Sequence, residues 1–156
     1  ISEIKTVYQG SGTTKGVDAD VSDTVTEKNL EEVITFAKQL SQKTGAIIAI
    51  TGAIDIVADR TKAYVIRNGH AMMSKITGTG CMLTGMVAAY CAANPQNKLE
   101  ATVAAVSAMG YCGEIAFAKT QKENSGTSSF RMHLIDDVSQ LDDKTLLRRR
   151  NIVSRE

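Results

Sequence analysis

Proline is nearly missing from these 156 residues: Pro95 is the only one, so 12 glycines do most of the punctuation. Tryptophan is absent and aromatic residues make up only 4%, which argues against base-stacking platforms for single-stranded nucleic acid. Charge of one sign is also lacking. Lys and Arg number 18, Asp and Glu 17, and the formal net charge is +1. That balance argues against a nucleic-acid partner held by phosphate neutralisation. No apolar run reaches the roughly 20 residues that span a bilayer, because Gly, Thr or charge breaks each one, so no membrane partner is expected. Cys81, Cys91 and Cys112 cannot all pair, and no CxxC or Cys/His metal spacing accompanies them. Free thiols of a cytoplasmic protein are the simpler reading. No signal peptide is visible, and no Met stands first. Ile1-Ser2-Glu3-Ile4 reads as the middle of something, so a segment of a longer protein is expected.

What is present suits one packed globular domain: 43% of residues are hydrophobic and 22% are charged. From Asn29 to Lys43, Leu30, Val33, Ile34, Phe36, Ala37 and Leu40 recur at helical spacing, with Glu31 and Glu32 in the first turn and Gly45 as a stop. Ala46 to Ile50 is a short apolar run ending at Thr51-Gly52, the pattern of a buried parallel strand. Asp55 to Asp59 and Ala63 to Ile66 read as two further strands, and Asn68-Gly69 as a tight turn before His70-Ala71-Met72-Met73. Met82 to Ala93 reads as a buried helix closed by Asn94-Pro95, and Leu99 to Phe117 as a second one. Phe130 to Leu141 is a weaker amphipathic helix before a polar tail. The order favours an α/β layer, with helices packed on a central sheet.

The sharpest chemical feature is Thr77-Gly78-Thr79-Gly80-Cys81. Alternate glycines let backbone approach a ligand closely and free amide groups to point at an anion. The helix that follows adds unpaired N–H donors and the positive end of its dipole. The same pattern also suits a structural turn carrying a buried Cys, and the spacing alone leaves both readings open. It is no dinucleotide fingerprint, because Leu83 stands where the third Gly would fall. Gly10 to Gly16 is no phosphate-binding P-loop either, since Lys15 and Gly16 are in the wrong order. Thr51 ends an apolar strand, where ligands bind in open α/β sheets; its plainer reading is a turn residue. Glu3 suits a hydrated Mg²⁺ or, equally, an exposed helix carboxylate. His70 and His133 read as structural or surface residues, and Met72-Met73 as core.

Several stretches taken together resemble the hydroxyethylthiazole kinases of thiamine biosynthesis, within the ribokinase-like superfamily. They are Ser2-Glu3-Ile4; Lys15-Gly16-Val17-Asp18; Ala49-Ile50-Thr51-Gly52 with Asp55-Ile56-Val57; Asn68-Gly69-His70; and Thr77 to Leu83. The resemblance implies a three-layer α/β/α fold with a mostly parallel central sheet, of which residues 1–156 form the C-terminal part of one domain. It implies transfer of the γ-phosphate of ATP to 4-methyl-5-(2-hydroxyethyl)thiazole with Mg²⁺. Gly78, Thr79, Gly80 and Cys81 would then form the anion hole, with Gly78 also beside the thiazole. Cys81 would hold the place of the Asp base of most ribokinase-like kinases. Thr51 would bind ATP, and Glu3 would organise ATP phosphates and, through water, Mg²⁺. Also implied are a trimer-based homo-oligomer and a missing N-terminal segment. Fusion to a thiamine-phosphate synthase, as in some fungal multifunctional enzymes, is a further expectation. Gly126-Thr127-Ser128-Ser129-Phe130 departs from the family's late loop by lacking its Pro. A related kinase for hydroxymethylpyrimidine or pyridoxal, and a non-catalytic subunit of the same fold, are the rival readings.

Overall fold

The computed structural model describes residues 24–156. These divide into two compact units, one running to Val65 and including Ser154–Glu156, the other Ile66–Val153.

Among the described residues the first helix of this unit is α1, Leu30–Thr44. Its buried side is the expected stripe of Leu30, Val33, Ile34, Ala37 and Leu40. Gly45 closes it at φ 72°, donating its N–H to the Ser41 carbonyl at 2.8 Å. Strands β1 (Ile48–Ile50), β2 (Asp55–Ala58) and β3 (Ala63–Ile66) follow, and β4 (Ile152–Arg155) completes a sheet of order β1-β2-β3-β4. β3 has the boundaries its sequence suggests. The turn before it is tied by Asp59, whose Oδ1 accepts from the backbone N–H groups of Thr61 and Lys62, both at 2.7 Å. These bonds and Arg60 hold the Asp59 carboxyl below the ordinary range, although burial alone would raise it. Leu30, Val33, Ile34 and Ala37 of α1 meet Ile50, Ile56, Ala58, Ala63 and Val65 of the strands in one apolar core.

The sheet corrects one expectation. β1 pairs with β2 antiparallel, Ile48 opposite Ala58 and Ile50 opposite Ile56. Only Thr51 to Ile54 separates them, whereas a parallel crossover takes about a dozen residues or more. A connection that short can only reverse the chain. The α/β class stands, but the expected parallel partner of β1 is not found among the described residues.

The second unit is helical. A short 3₁₀ helix, Ala71–Lys75, leads to α2 (Thr79–Ala93), α3 (Lys98–Lys122), α4 (Thr127–Gln140) and α5 (Asp143–Arg149). α3 is the hub, packing on α2, α4, α5 and the 3₁₀ helix. Its Met109, Cys112 and Ala116 are buried with Phe130 and Leu134 of α4, and Met72, Met73 and Ile76 pack around them. By length and composition α3 is apolar enough to cross a bilayer, yet 67% of its most apolar stretch is buried inside this fold. Lys119 pairs with Asp137 and ties α3 to α4; the other Asp137 oxygen, Oδ2, is buried and finds no partner among the described residues. Burial pushes the Cys112 thiol up to about 11, with the Asp137 carboxylate adding to it and Lys119 opposing.

α2 and α4 both begin three residues earlier than their apolar patterns suggest, at Thr79 and Thr127. α2 also overturns the expectation of a buried helix. None of its residues is buried. Met82, Leu83 and Met86 touch the α3 core, while Cys81, Gly85, Ala88 and Ala89 are exposed. Apolar composition predicts that a helix wants partners on all sides; it does not supply them.

Candidate active site

The mouth of α2 is built by the backbone. Gly78 sits at φ 96° and ψ −3°, a left-handed conformation that suits glycine and sharply turns the chain into the helix. The first intrahelical bond runs from the Met82 N–H to the Gly78 carbonyl at 2.9 Å. The amides of Thr79, Gly80 and Cys81 therefore lie upstream of any i−4 partner. No side chain caps this helix. A methyl group at Gly78 or Gly80 would meet nothing within 4 Å, so the space beside the mouth is open. Cys81 is a free, exposed cysteine in the first turn. Clustered amides at a positive helix end suit an anion such as a phosphoryl group. Gly78 to Cys81 are contiguous at this mouth, and Cys81 is exposed, unlike the buried Cys of a purely structural turn.

Thr51 belongs to the other unit, exposed at the end of β1. The turn it opens is fixed by Asp55, whose Oδ1 accepts the Gly52 N–H at 2.8 Å. Desolvation by burial raises the Asp55 carboxyl to about 6, against the lowering effect of that bond. Sequence reasoning gives Asp55 no role; a Gly followed three residues later by Asp is the signal that finds it. Glu3 lies outside the described residues, as do Lys15 to Asp18.

The histidines are structural. Nδ1 of His70 accepts the Met72 N–H at 3.1 Å, and its ring stacks on Phe117 with centroids 3.5 Å apart. His133 Nε2 lies 2.8 Å from Glu123 Oε2, and this contact is the main cause holding the Glu123 carboxyl below its ordinary range. Sequence reasoning missed the polar knot at Asn68. Its Oδ1 accepts from Ser107 Oγ at 2.9 Å and from the Asn151 N–H at 2.8 Å. Glu114 Oε1 accepts from Asn68 Nδ2 at 3.1 Å and from the Gly69 N–H at 2.9 Å. These partners lie far apart in the chain, so no local pattern announces them.

The α/β fold and the open glycine turn at a helix mouth fit the ribokinase-like class, to which the solved structural neighbour belongs. Within that class the chain belongs to the hydroxyethylthiazole kinase family, whose sequence model matches residues 1–144. It is 60% identical over 142 residues to the hydroxyethylthiazole kinase of Clostridium acetobutylicum, covering 91% of this chain and 52% of that protein. Hydroxyethylthiazole kinase 2 of Clostridium botulinum (strain Langeland) is 42% identical over 154 residues, covering 99% of this chain and 56% of that protein. The solved structure of a hydroxyethylthiazole kinase protein from Pyrococcus horikoshii superposes with a TM-score of 0.74 at 25% identity, covering 83% of this chain and 49% of that one. The chain thus spans about half the length of the curated relatives it matches.

Proposed function

We propose that the chain is the C-terminal part of a single kinase domain that transfers the γ-phosphate of ATP to the hydroxyl of 4-methyl-5-(2-hydroxyethyl)thiazole, in thiamine biosynthesis. The observation that carries this is the open amide mouth of α2 in a chain of this family. Phosphoryl transfer asks for positioning and charge stabilisation more than for covalent chemistry. The amides of Thr79, Gly80 and Cys81 would hold the migrating phosphoryl group, with Gly78 leaving room for the thiazole beside it. As the hydroxyl oxygen bonds to phosphorus, the bond to the ADP oxygen breaks and the hydroxyl proton departs. Cys81 would accept that proton or orient the hydroxyl. Thr51 would bind ATP.

Mg²⁺ comes with ATP chemistry and commonly binds through phosphates and waters. Glu3, assigned to it by resemblance, is outside the described residues. Among the described residues no three His, Cys, Asp or Glu side chains gather to hold a metal. Mg²⁺ would therefore be held chiefly through the ATP phosphates and water, and no step above is routed through the ion. A cytoplasmic location and a trimer-based assembly are part of the same proposal; the relatives' names speak of the kinase alone.

The test is phosphate transfer by the full-length protein with ATP and each of three alcohols. The thiazole should be the preferred acceptor, and Cys81→Ala should lower kcat by about 10²-fold. Preference for hydroxymethylpyrimidine or pyridoxal would overturn the substrate, and ATP consumption that never depends on an alcohol would favour a non-catalytic subunit.

A further inference from the structure

We infer that Glu114 is a positioning residue for the anion turn, holding the segment that delivers Gly78 to the mouth of α2. This rests on the kinase reading above, but its geometry lies wholly within the second unit. Gly110, Gly113, Glu114 and Phe117 fall at i, i+3, i+4 and i+7 of α3, so they form one face of that helix. Each grips the segment that begins at Asn68. A methyl group on Gly110 would stand 2.5 Å from the Asn68 carbonyl oxygen, and one on Gly113 would stand 2.4 Å from Met73 Sδ. The two glycines are notches into which the segment sinks. Phe117 supplies the floor for the His70 ring.

Glu114 is the polar anchor of this face. One oxygen, Oε1, takes both the Asn68 Nδ2 hydrogen and the Gly69 N–H. Gly69 stands at φ 136°, a backbone conformation that glycine adopts and leaves freely. The bond to Glu114 is what holds it there. From there the chain passes through Ala71–Lys75, and Ile76 and Met82 pack against the same apolar core on either side of Gly78. The entry and exit of the anion turn are therefore referenced to α3. Releasing Gly69 and Asn68 loosens the entry, and the turn from Gly78 to Cys81 shifts with it. Turnover is sensitive to such shifts, because about 1 Å of misplacement can cost on the order of 10²-fold.

The experiment uses the full-length protein and the variants Glu114→Ala, Glu114→Gln and Phe117→Leu. It measures kcat and KM with ATP and the thiazole. Independently of turnover, it measures the rate at which iodoacetamide alkylates Cys81, located by peptide mass spectrometry. Glu114→Ala should lower kcat by about 10-fold or more with KM for ATP little changed, and should change Cys81 alkylation severalfold. Glu114→Gln should restore both, since its amide oxygen accepts the same two bonds. Phe117→Leu should change Cys81 alkylation in the same sense, and it decides the matter if Glu114→Ala does not fold. Unchanged kcat and unchanged alkylation in Glu114→Ala would overturn the inference. So would a Glu114→Gln variant as impaired as Glu114→Ala, which would make charge rather than hydrogen-bond acceptance the cause. If the unaltered protein phosphorylates no thiazole, the functional reading falls, and Cys81 alkylation still judges the positioning claim.

Discussion

α2 and α3 are packed neighbours with opposite fates, and the more apolar of the two, α2, is the one left open. α3 buries Met109, Cys112, Ala116 and a run of small residues among its neighbours; α2 buries none of its residues. The helix that carries the fold is closed on most sides, while the helix that carries the candidate site keeps its N-terminal turn open. Among the described residues of a chain that spans about half the length of its relatives, apolar composition tells how much surface α2 would gain by burying, and α3 covers only part of it.

The contrast is sharpest in thiol chemistry. Cys81 on α2 is exposed, whereas Cys112 on α3 is buried with its thiol pushed up to about 11. A thiolate is the reactive form, so Cys112 stays neutral and inert at neutral pH and gains thiolate only as the pH climbs toward that value. Alkylation at pH 7.5, followed by mass spectrometry, should label Cys81 orders of magnitude faster than Cys112, which reacts only when the helices open. Comparable rates would break the comparison.

Side-chain truncation comes next. Met109→Ala should cost about 2–5 kcal/mol in urea unfolding, while Met86→Ala on half-buried α2 should cost under about 1.5 kcal/mol. Equal costs would mean that α2 is covered in the protein as it exists. The glycines give a contrast of sign. Gly110→Ala pushes a methyl group into the Asn68 backbone and should destabilise by about 1–3 kcal/mol. Gly85→Ala meets nothing within 4 Å and should gain up to about 1 kcal/mol of helix propensity. Thermal midpoints moving in opposite directions would support the contrast; a loss in both would sink it.

Much of this was legible in the sequence, for identifiable reasons. α1 and β3 announce themselves because a helical stripe and a turn at Asp59 are local signals. The glycine turn was legible as well, since Gly78 and Gly80 stand just ahead of an apolar run. The starts of α2 and α4 were read late, because a first turn of Thr, Gly and Ser has no apolar period to betray it. The parallel reading of β1 failed because a continuous apolar run says nothing of strand direction, and the burial it suggests is realised only at Ile50. β4 went unread, since Ile152 and Val153 follow the charged run Arg148 to Arg150 and look like a tail. The Asn68 knot was invisible because Ser107, Glu114 and Asn151 meet it only through the fold.

The two helices also differ in why a glycine cannot be replaced. At Gly110 the obstacle is volume, for the neighbouring backbone already fills the space a methyl group would take. At Gly78 the room is empty, and the obstacle is handedness: a φ of 96° is uncomfortable for a left-handed amino acid and ordinary for its mirror image. Chemical ligation of D-alanine at position 78 should therefore leave the mouth of α2 intact, where L-alanine would twist it.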